Sequence, residues 1–365
     1  MRICLISVEI FAWGKYGGFG RATRTIGREL VQRGHEVYAV VPRRPGQAAV
    51  EELDGMTVLS FPPGRSGAAT RLLAEADADI YHSCEPSHAT HQAVRARPGR
   101  VHIVTCRDPR DRTDWLTEFA LPSRSRLRVV ANYLYENSPL VRRGVQRADA
   151  VYAAAPCLVP KAQAIYRLRT PPRFLPTPVE IPARVEKAAH PTVCFVGRLD
   201  RRKRPEIFFD LAERFPDVHF IAVGASNDAH RDRYLRERYG SLPNLEMRGF
   251  VDQFRTDELE RILKRSWILV NTSAREGLPN SMLEAAAHRC AILSAVDPDG
   301  FASKFGWHVR NDDFESGLRY LLEDDRWRER GLDAWRHVAA TFETARAVEK
   351  HIEAYCEALD ARSRR

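Results

Sequence analysis

Short hydrophobic runs alternate with longer amphipathic stretches along this chain. The first run, at 2–8, precedes a glycine-rich loop over 14–20 and a helical stretch that extends to about Arg33. Gly34 can end that helix, and 37–41 form the next predicted strand. Further strands are predicted at 57–60, 80–82, 101–105 and 151–153. This order of elements predicts an α/β domain with a mostly parallel sheet.

Six prolines between positions 171 and 191 interrupt this alternation and predict an interdomain linker. A second alternation follows, with strands predicted at 193–196, 220–223, 245–248, 267–270 and 291–293. The last 40 or so residues have a helical pattern. The predicted organisation is a first domain over 1–178, a linker over 179–190, a second domain over 191–340 and a C-terminal helix over 341–365.

Composition favours two domains and limits the classes of binding partner that are expected. The chain has 365 residues, 44% of them hydrophobic, and a net charge of +9. Its arginines are spread over the whole length without a recognition motif that interleaves aromatic residues, so no nucleic-acid partner is expected. The basic surface leaves open a peripheral membrane contact or an anionic ligand.

The sequence also indicates a location. It contains no run of eighteen apolar residues and no signal-peptide pattern at its start. Its seven cysteines form no CxxC pair, which is typical of reduced thiols. We therefore expect a cytoplasmic protein, with membrane association at the inner face as an open alternative.

Two glutamates stand eight positions apart in the segment 275–285, REGLPNSMLEA. Glu276 is predicted to lie in a loop before a Gly-Leu-Pro turn, and Glu284 inside a helix that Pro279 can open. The start of that helix would present backbone N–H groups suited to a phosphate. Carboxylates on both sides could accept hydrogen bonds from the hydroxyls of a sugar and a ribose.

A cationic segment follows the first strand of the second alternation. Residues 197–203, GRLDRRK, place Arg198 and Lys203 on a loop at the end of that strand. Two cations there could clamp a diphosphate, arginine through its planar fork and lysine as a point charge. They could also stabilise charge on a leaving group without a metal ion. Taken alone, such a run is common on protein surfaces.

Together these segments resemble the family 4 retaining glycosyltransferases. The string from Glu276 to Glu284 resembles that family's Glu-x7-Glu signature, and 197–203 matches its Gly-Arg-Leu-x-x-x-Lys pattern in every fixed position. The resemblance implies a GT-B architecture, in which two doubly wound Rossmann-like domains face each other across a cleft. The first domain would be on the acceptor side, the second would bind the donor, and the last helix would return to the first domain.

The resemblance also implies the reaction. A nucleotide diphosphate sugar would donate its sugar, with retention of anomeric configuration, to a hydroxyl of a glycan, a lipid-linked acceptor or a small molecule. No cofactor and no metal ion are expected. By the same resemblance, Glu284 would hold the ribose, Glu276 would contact a sugar hydroxyl, and Arg198 and Lys203 would hold the diphosphate.

Other positions are assigned by the resemblance to donor binding. The backbone of Gly277, Leu278, Pro279 and Asn280 would approach the sugar and phosphate. Phe250 and Val251 would lie at the base contact. Gly17 and Gly18 belong to a loop whose backbone would approach a donor phosphate or the acceptor.

One position departs from the family pattern. Many relatives carry a histidine in a Thr-x-His-Asp stretch near the donor sugar, whereas 105–109 of this chain read TCRDP, which places Arg107 there. Arg107 could pair locally with Asp108 or Asp111. Alternatively, it could face the donor and bind an anionic group such as a uronic acid carboxylate or an acceptor phosphate. The second hypothesis predicts that Arg107→His changes donor preference.

A group of histidines first suggests a metal site. His82, His88 and His91 lie close in sequence to Cys84 and Glu85, but their spacing fits no common zinc pattern, so no metal is predicted. The segment around His82 instead resembles the family's acceptor-side strand end. His82 is therefore a candidate contact to the acceptor or the donor.

Three alternatives to a transferase remain. A catalytically silent nucleotide-sugar binding protein is favoured only by the unusual Arg107. A GT-B epimerase or phosphorylase would need further carboxylates or a phosphate or pyridoxal site. A Rossmann dehydrogenase is disfavoured, because the first loop lacks GxGxxG and the second strand ends at Pro42 and Arg43 instead of an acidic residue.

Overall fold

The computed structural model describes residues 1–14 and 16–364. The chain forms two compact units. The first comprises Met1–Asp111, Ala131–Pro178 and Thr344–Arg365, and the second comprises Arg112–Val130 and Val179–Glu343. Each unit contains one sheet with helices around it.

Fourteen strands are assigned in the described residues. They are β1 (Arg2–Ile6), β2 (Glu36–Pro42), β3 (Val50–Leu53), β4 (Met56–Phe61), β5 (Ile80–Ser83), β6 (Val101–Cys106), β7 (Ala150–Ala153), β8 (Arg173–Phe174), β9 (Thr192–Val196), β10 (His219–Val223), β11 (Leu245–Gly249), β12 (Ile268–Asn271), β13 (Ala291–Ser294) and β14 (Gly306–His308).

Fifteen α-helices accompany them over the same described ranges. They are α1 (Gly18–Gln32), α2 (Ala69–Ala76), α3 (His88–Ala96), α4 (Arg112–Ala120), α5 (Arg126–Glu136), α6 (Pro139–Gln146), α7 (Val159–Tyr166), α8 (Pro205–Arg214), α9 (Ala229–Tyr239), α10 (Glu258–Arg265), α11 (Asn280–Ala287), α12 (Phe301–Phe305), α13 (Phe314–Leu322), α14 (Arg326–Thr341) and α15 (Thr344–Ser363).

The sheet of the first unit has the order β3-β4-β2-β1-β5-β6-β7-β8. All its neighbours are parallel except β3 and β4, which are antiparallel. Strands β5 and β6 are buried at every position, as expected for inner strands of a parallel sheet that is covered on both faces. Successive strands extend in opposite directions from the β1–β5 pair, so this pair is the topological switch point of a doubly wound sheet.

The sheet of the second unit has the order β11-β10-β9-β12-β13-β14, and all its pairs are parallel. Its switch point lies between β9 and β12. The core between this sheet and its helices contains aromatic side chains that are almost fully buried, including Phe208, Phe220 and Trp327. Both units therefore have the doubly wound α/β architecture that the sequence pattern predicts.

Three strands were not predicted. Strand β3 lies at the sheet edge and contains Glu51 and Glu52, so its sequence lacks the apolar residues by which strands were predicted. It forms a hairpin with β4 through the turn Asp54–Gly55, where both residues have a positive φ. Strand β8 has only two residues and β14 only three. Such short strands leave too few positions for a period of two to be visible.

The division of the chain also differs from the predicted domain boundaries. Residues 112–130, which the sequence placed in the first domain, belong to the second unit. The C-terminal helical stretch is two helices, α14 in the second unit and α15 in the first. Within the first unit, Val348 and Tyr355 of α15 pack in the same core as Ile3 and Leu5 of β1. Among the described residues, no helix has the length and apolarity needed to cross a bilayer.

Candidate functional site

The two loops that carry the predicted donor residues leave neighbouring strands. Strands β9 and β12 pair at the switch point of the second unit, and the loops over 197–203 and 272–279 follow their carboxyl ends. In open α/β sheets, ligands bind beyond the carboxyl ends of the strands at such a point. The topology therefore explains why two segments about 80 residues apart in sequence lie together.

Direct hydrogen bonds hold these two loops against each other. The Ala274 N–H donates to the Arg202 carbonyl at 3.0 Å. The Thr272 hydroxyl donates to the Lys203 carbonyl at 2.5 Å, and Arg204 Nε donates to the Thr272 carbonyl at 2.7 Å. The Asp200 side chain caps the short 3₁₀ turn by accepting from the Lys203 N–H at 3.2 Å. These bonds set the positions of Lys203 and of the residues before Glu276.

Lys203 and Glu276 form an ion pair. The Lys203 Nζ donates to Glu276 Oε1, and both side chains are largely buried, with 16% and 15% of their surface exposed. The sequence assigned the lysine to a diphosphate and the glutamate to a sugar hydroxyl, and the structure brings the two side chains into contact. A cation and a carboxylate paired in this way can separate to bind an anion and a hydroxyl side by side.

Arg198 lies on the same loop but is more exposed. Its Nη2 is 3.3 Å from Asp200 Oδ2, and the Asp200 carboxylate is almost fully buried. Asp200 thus has two functions, because it caps the turn that positions Lys203 and also holds the guanidinium of Arg198. The sequence analysis did not single out Asp200, although its place inside the Gly-Arg-Leu-x-x-x-Lys pattern was visible.

Helix α11 begins directly after the loop of Glu276. It starts at Asn280, and Pro279 is the residue before its first turn, with an extended ψ of 127°. The prediction that Pro279 opens the helix is thus off by one position. Because proline has no polar side chain, it cannot cap the N–H groups of the first turn. Glu284 lies in the second turn of this helix and is half-buried.

The remaining predicted donor contacts lie at the same end of the same sheet. Phe250 and Val251 follow β11, and the ring of Phe250 is exposed. Near them the strand ends approach closely, because a Cβ on Gly224 would overlap the Gly197 carbonyl, and Gly224 has a φ of 138°. Only glycine fits there without strain. Whether Phe250 and Val251 contact a base stays a prediction.

Two carboxylates from α4 complete this region of the second unit, and the sequence analysis missed them. Glu118 Oε1 accepts from Arg202 Nη1 at 2.6 Å and from Arg275 Nη1 at 3.0 Å. Asp114 Oδ1 accepts from Arg275 Nε at 3.2 Å. All four side chains are buried. Arg202 and Arg275 immediately precede Lys203 and Glu276. The α4 carboxylates therefore hold each loop in place at the residue next to its predicted functional side chain.

The glycine loop of the first unit encloses a carboxylate from its own chain. Glu9 follows β1 and is buried, and its Oε1 accepts from the Gly20 N–H at 3.1 Å at the start of α1. A Cβ on Gly17 would overlap that carboxylate oxygen. The close backbone approach that glycine permits is thus used at Gly17 to accommodate Glu9. The predicted contacts of Gly17 and Gly18 with a ligand stay predictions.

His82 does not present a ring nitrogen to a ligand in this structure, contrary to the prediction. It is fully buried in β5, where Nδ1 is 2.8 Å from the Tyr355 hydroxyl and Nε2 is 2.8 Å from Thr105 Oγ1. Burial lowers the pKa of His82 well below its usual value. We therefore assign His82 to the packing of α15 against the sheet of the first unit.

Arg107 makes neither of the local ion pairs that the sequence suggested. Its Nε donates to the Cys84 carbonyl at 3.1 Å and its Nη1 to the Thr177 hydroxyl at 2.7 Å, while Nη2 is buried without a hydrogen bond. Its backbone N–H donates to Glu85 Oε2 at 2.9 Å. Burial raises the pKa of Glu85 to about 8 and lowers that of Arg107.

The other histidines of the apparent cluster have separate environments. His88 Nε2 is 2.8 Å from the Ser138 hydroxyl, and burial lowers the pKa values of both His88 and His91. Within residues 1–14 and 16–364, no three His, Cys, Asp or Glu side chains are grouped in a way that could hold a metal ion. Metal independence itself stays a prediction.

Comparison with known families agrees with this geometry. The family model described as Glycosyltransferase Family 4 matches residues 16–181. The model described as Glycosyl transferases group 1 matches residues 190–324, which include both loops of the donor region. No curated protein sequence matches the chain significantly.

Solved structures with similar folds span nearly the whole chain. Sucrose-phosphate synthase (tll1590) from Thermosynechococcus elongatus matches with a TM-score of 0.76 and 17% identity, covering 98% of this chain and 99% of its own. Anabaena Alr3699/HepE in complex with UDP matches with a TM-score of 0.71 and 15% identity, covering 98% and 100%. The catalytic domain of starch synthase IV from Arabidopsis thaliana, bound to ADP and acarbose, matches with a TM-score of 0.64 and 12% identity, covering 98% of this chain and 99% of that domain.

The two doubly wound units and these structural neighbours define the fold of the protein as GT-B. The two family models together extend from residue 16 to residue 324 with a short gap, and both describe glycosyltransferases. The chain is therefore a glycosyltransferase in which a family 4 domain is followed by a domain of the glycosyl transferases group 1.

Proposed function

We propose that this protein transfers a sugar from a nucleotide diphosphate sugar to an acceptor hydroxyl, with retention of anomeric configuration and without a metal ion. One observation carries the proposal. The switch point of the second unit places Lys203, Glu276 and the start of α11 together, with Glu284 one turn further along that helix. Cation, carboxylate and helix start are the groups that a sugar diphosphate needs.

In the proposed reaction, Lys203 and Arg198 hold the diphosphate of the donor. The bond between the anomeric carbon and the diphosphate oxygen breaks, and its electron pair leaves with the diphosphate. The acceptor oxygen bonds to the anomeric carbon on the same face, and its proton passes to the departing phosphate oxygen. The two cations stabilise the charge that grows on that leaving group.

Glu276 and Glu284 orient the donor in this proposal. When Lys203 turns to the diphosphate, Glu276 is released to accept a hydrogen bond from a sugar hydroxyl. Glu284 accepts from the ribose hydroxyls of the nucleotide. No protein nucleophile is required, and the similar proteins that were solved with UDP or ADP support a nucleoside diphosphate as the leaving group.

The proposed acceptor is a glycan, a lipid-linked molecule or a small molecule with a free hydroxyl. Starch synthase IV was solved with acarbose, and S. aureus TarM with alpha-GlcNAc-glycerol, so proteins of similar fold bind carbohydrate ligands. We also propose a cytoplasmic location, supported by five buried cysteine thiols.

A thermal-shift screen tests the donor part of the proposal. The protein is mixed with UDP, GDP, ADP, TDP and their common sugar conjugates, including UDP-glucuronic acid. A ligand present at a hundred times its Kd adds about 2.7 kcal/mol to the free energy of unfolding, so a clear rise in Tm is expected with one nucleotide. Glu284→Gln should abolish that rise.

Glu260→Gln is the matched control for this screen. Glu260 is an exposed glutamate on α10 that pairs with Lys264 at 2.6 Å and belongs to neither donor loop. Its variant should keep the full nucleotide-dependent shift. A wild-type protein that no nucleotide stabilises, or a Glu284→Gln protein that responds like the wild type, would contradict the proposed site.

The role of Arg107 in donor choice is a separate proposal. The buried Nη2 that makes no hydrogen bond could bind an anionic group that entered beside it. If so, Arg107→His reduces any preference for a uronic acid donor over its neutral hexose counterpart. An unchanged preference in a variant with unchanged Tm would leave Arg107 as a structural side chain.

A further inference from the structure

The exposed apolar side chains of this protein are concentrated in one stretch. Eleven large hydrophobic residues are exposed in the described part of the chain, and eight of them lie between positions 116 and 140. Isolated exposed hydrophobic residues are ordinary in globular proteins. A contiguous exposed apolar surface is instead typical of a site that binds a protein, a ligand or a membrane.

Helix α5 has the highest density of these residues. Leu127, Val130 and Leu134 are 84%, 44% and 64% exposed, and Val129 is buried. At 100° per residue, positions 127, 130 and 134 fall on one stripe of the helix, and 129 lies on the opposite side. The helix therefore turns its apolar stripe to solvent and is attached to the protein by its other face.

The flanks of this stripe are basic and aromatic. Arg124, Arg126 and Arg128 are all exposed, and the segment 121–135 contains no acidic residue. Tyr133 and Tyr135 are also exposed, and the Tyr135 hydroxyl accepts from the His88 N–H at 3.2 Å near the C-terminal end of the helix. Apolar residues bordered by arginine and tyrosine are the composition of a helix at a membrane interface.

We propose that α5 binds an anionic lipid surface. The stripe of Leu127, Val130 and Leu134 would enter the boundary between headgroups and acyl chains, and Arg126 and Arg128 would contact the negative headgroups. With eleven residues, α5 is about 16 Å long, which is too short to span a bilayer and suits a helix lying in its surface. The positive charge favours anionic lipid over a neutral apolar partner.

This inference does not depend on the proposed transfer reaction, because lipid binding is measured without donor or acceptor. A protein that turned over no nucleotide sugar could still bind vesicles through α5. A transferase with a wholly water-soluble acceptor could fail to bind them.

Co-sedimentation with vesicles tests the proposal. The full chain is mixed with vesicles of phosphatidylcholine alone and with vesicles containing 30% phosphatidylglycerol. Binding is expected only to the anionic vesicles. It should weaken when salt is raised from about 0.05 M to about 0.5 M, because salt screens the headgroup charge.

Two double variants separate the apolar and the basic contributions. Leu127→Ser with Leu134→Ser should reduce partition into anionic vesicles by about tenfold or more. Arg126→Gln with Arg128→Gln should reduce it by about 30-fold, since each arginine near an anionic surface contributes roughly a fivefold factor. All four side chains are exposed, so the Tm of each variant should stay close to that of the wild type.

Tyr234→Ser is the matched control, because Tyr234 is 53% exposed on α9, outside this stretch. It should bind vesicles like the wild type. The proposal is overturned if the wild type ignores anionic vesicles, or if both double variants bind as the control does. It is also overturned if the protein self-associates through the stripe, seen as a dimer that Leu127→Ser with Leu134→Ser dissociates while vesicle binding is absent.

Discussion

At the residue scale, the contact between Lys203 and Glu276 is the centre of the account. Each side chain was assigned from sequence to a different part of one ligand, and the structure pairs them. The pair keeps the cation and the carboxylate next to each other, and in the proposed reaction it opens when Lys203 turns to the diphosphate. It is therefore interpreted as the ligand-free form of the proposed donor site.

Lys203→Gln should lower kcat/KM for the identified donor by about a hundredfold or more, because the lost cation stabilises charge that develops on the leaving diphosphate. Steady-state kinetics measure the effect. Lys264→Gln, at a partly exposed lysine on α10, should leave kcat/KM unchanged. Equal kinetics for the two variants would remove Lys203 from the proposed mechanism.

His351 predicts a dependence of stability on pH. Burial, together with the charge of Arg107, lowers the pKa of His351 to about 3, and its Nε2 is 3.1 Å from the Pro176 carbonyl. The unfolded chain therefore binds a proton at His351 below about pH 6.5 that the folded chain does not bind. The contribution of this group is complete above pH 6.5 and is lost as the pH falls toward 3.

His351→Gln, which keeps a donor near Pro176, should reduce the loss of stability on acidification. Urea unfolding at pH 7 and pH 5 measures it, and the free energy of unfolding of the variant should fall by less than that of the wild type. An identical fall in both proteins would mean that His351 is not buried as a neutral ring.

Gly20→Ala should destabilise the first unit by about 1–3 kcal/mol, because its methyl carbon would lie 2.8 Å from backbone atoms of Ile10 and Phe11 at the start of α1. Gly99→Ala is the matched control, since Gly99 is exposed, its φ is not positive and nothing lies within 4 Å of the added carbon. Its free energy of unfolding should change by about 0.5 kcal/mol or less. Denaturant unfolding that found the two variants equal would contradict the packing described for this loop.

At the element scale, the order of strands explains why the two predicted donor loops lie next to each other. The carboxylates of α4 support both loops through Arg202 and Arg275. The sequence located the strands because their apolar runs are long and are followed by recognisable loops. It did not indicate that α4 supports Arg202 and Arg275, because the pattern of a single helix does not reveal which residues its carboxylates contact. Glu118 and Asp114 lie about 84 and 161 positions from their respective partners, Arg202 and Arg275.

Glu118→Gln should destabilise the second unit by about 3 kcal/mol, because it leaves the buried guanidinium of Arg202 with a neutral partner and removes one of the two carboxylates that contact Arg275. It should also raise the Kd of the donor nucleotide, since Arg202 and Arg275 adjoin Lys203 and Glu276. Glu118→Asp, which restores the charge, should recover part of the affinity.

Glu75→Gln is the control for this element, because Glu75 forms an exposed pair with Arg71 at 2.7 Å. Calorimetric titration measures the Kd of the nucleotide for each of these variants. A Glu118→Gln protein that is less stable but has the wild-type Kd would make α4 a structural support without influence on the site.

At the scale of the whole molecule, the sequence predicted two doubly wound units because each repeats the same alternation of strand and helix on either side of a proline-rich segment. It placed 112–130 in the wrong unit, since no composition change marks where the chain passes between them. The inward orientation of His82 was equally hidden, because its partner Tyr355 lies 273 positions further along the chain.

The predicted donor residues Arg198, Lys203, Glu276 and Glu284 occur in two short sequence strings that resemble family patterns, and the structure brings Lys203 and Glu276 into contact. Their contacts with a donor stay predictions. The acceptor depends on loops of irregular structure, which follow no periodic pattern. The fold could therefore be predicted from the sequence, and candidate donor residues could be named, whereas no acceptor contact could be derived.

The most direct test of the central claim is the release of nucleoside diphosphate from a panel of nucleotide sugars, measured for the wild type, Glu284→Gln and Glu260→Gln. Slow hydrolysis of the correct donor reports on the site even before an acceptor is known. We expect the wild type and Glu260→Gln to release nucleoside diphosphate from one class of donor. Glu284→Gln should release none above background. Release that Glu284→Gln retains in full, or no release from any donor despite nucleotide binding, would contradict the central claim.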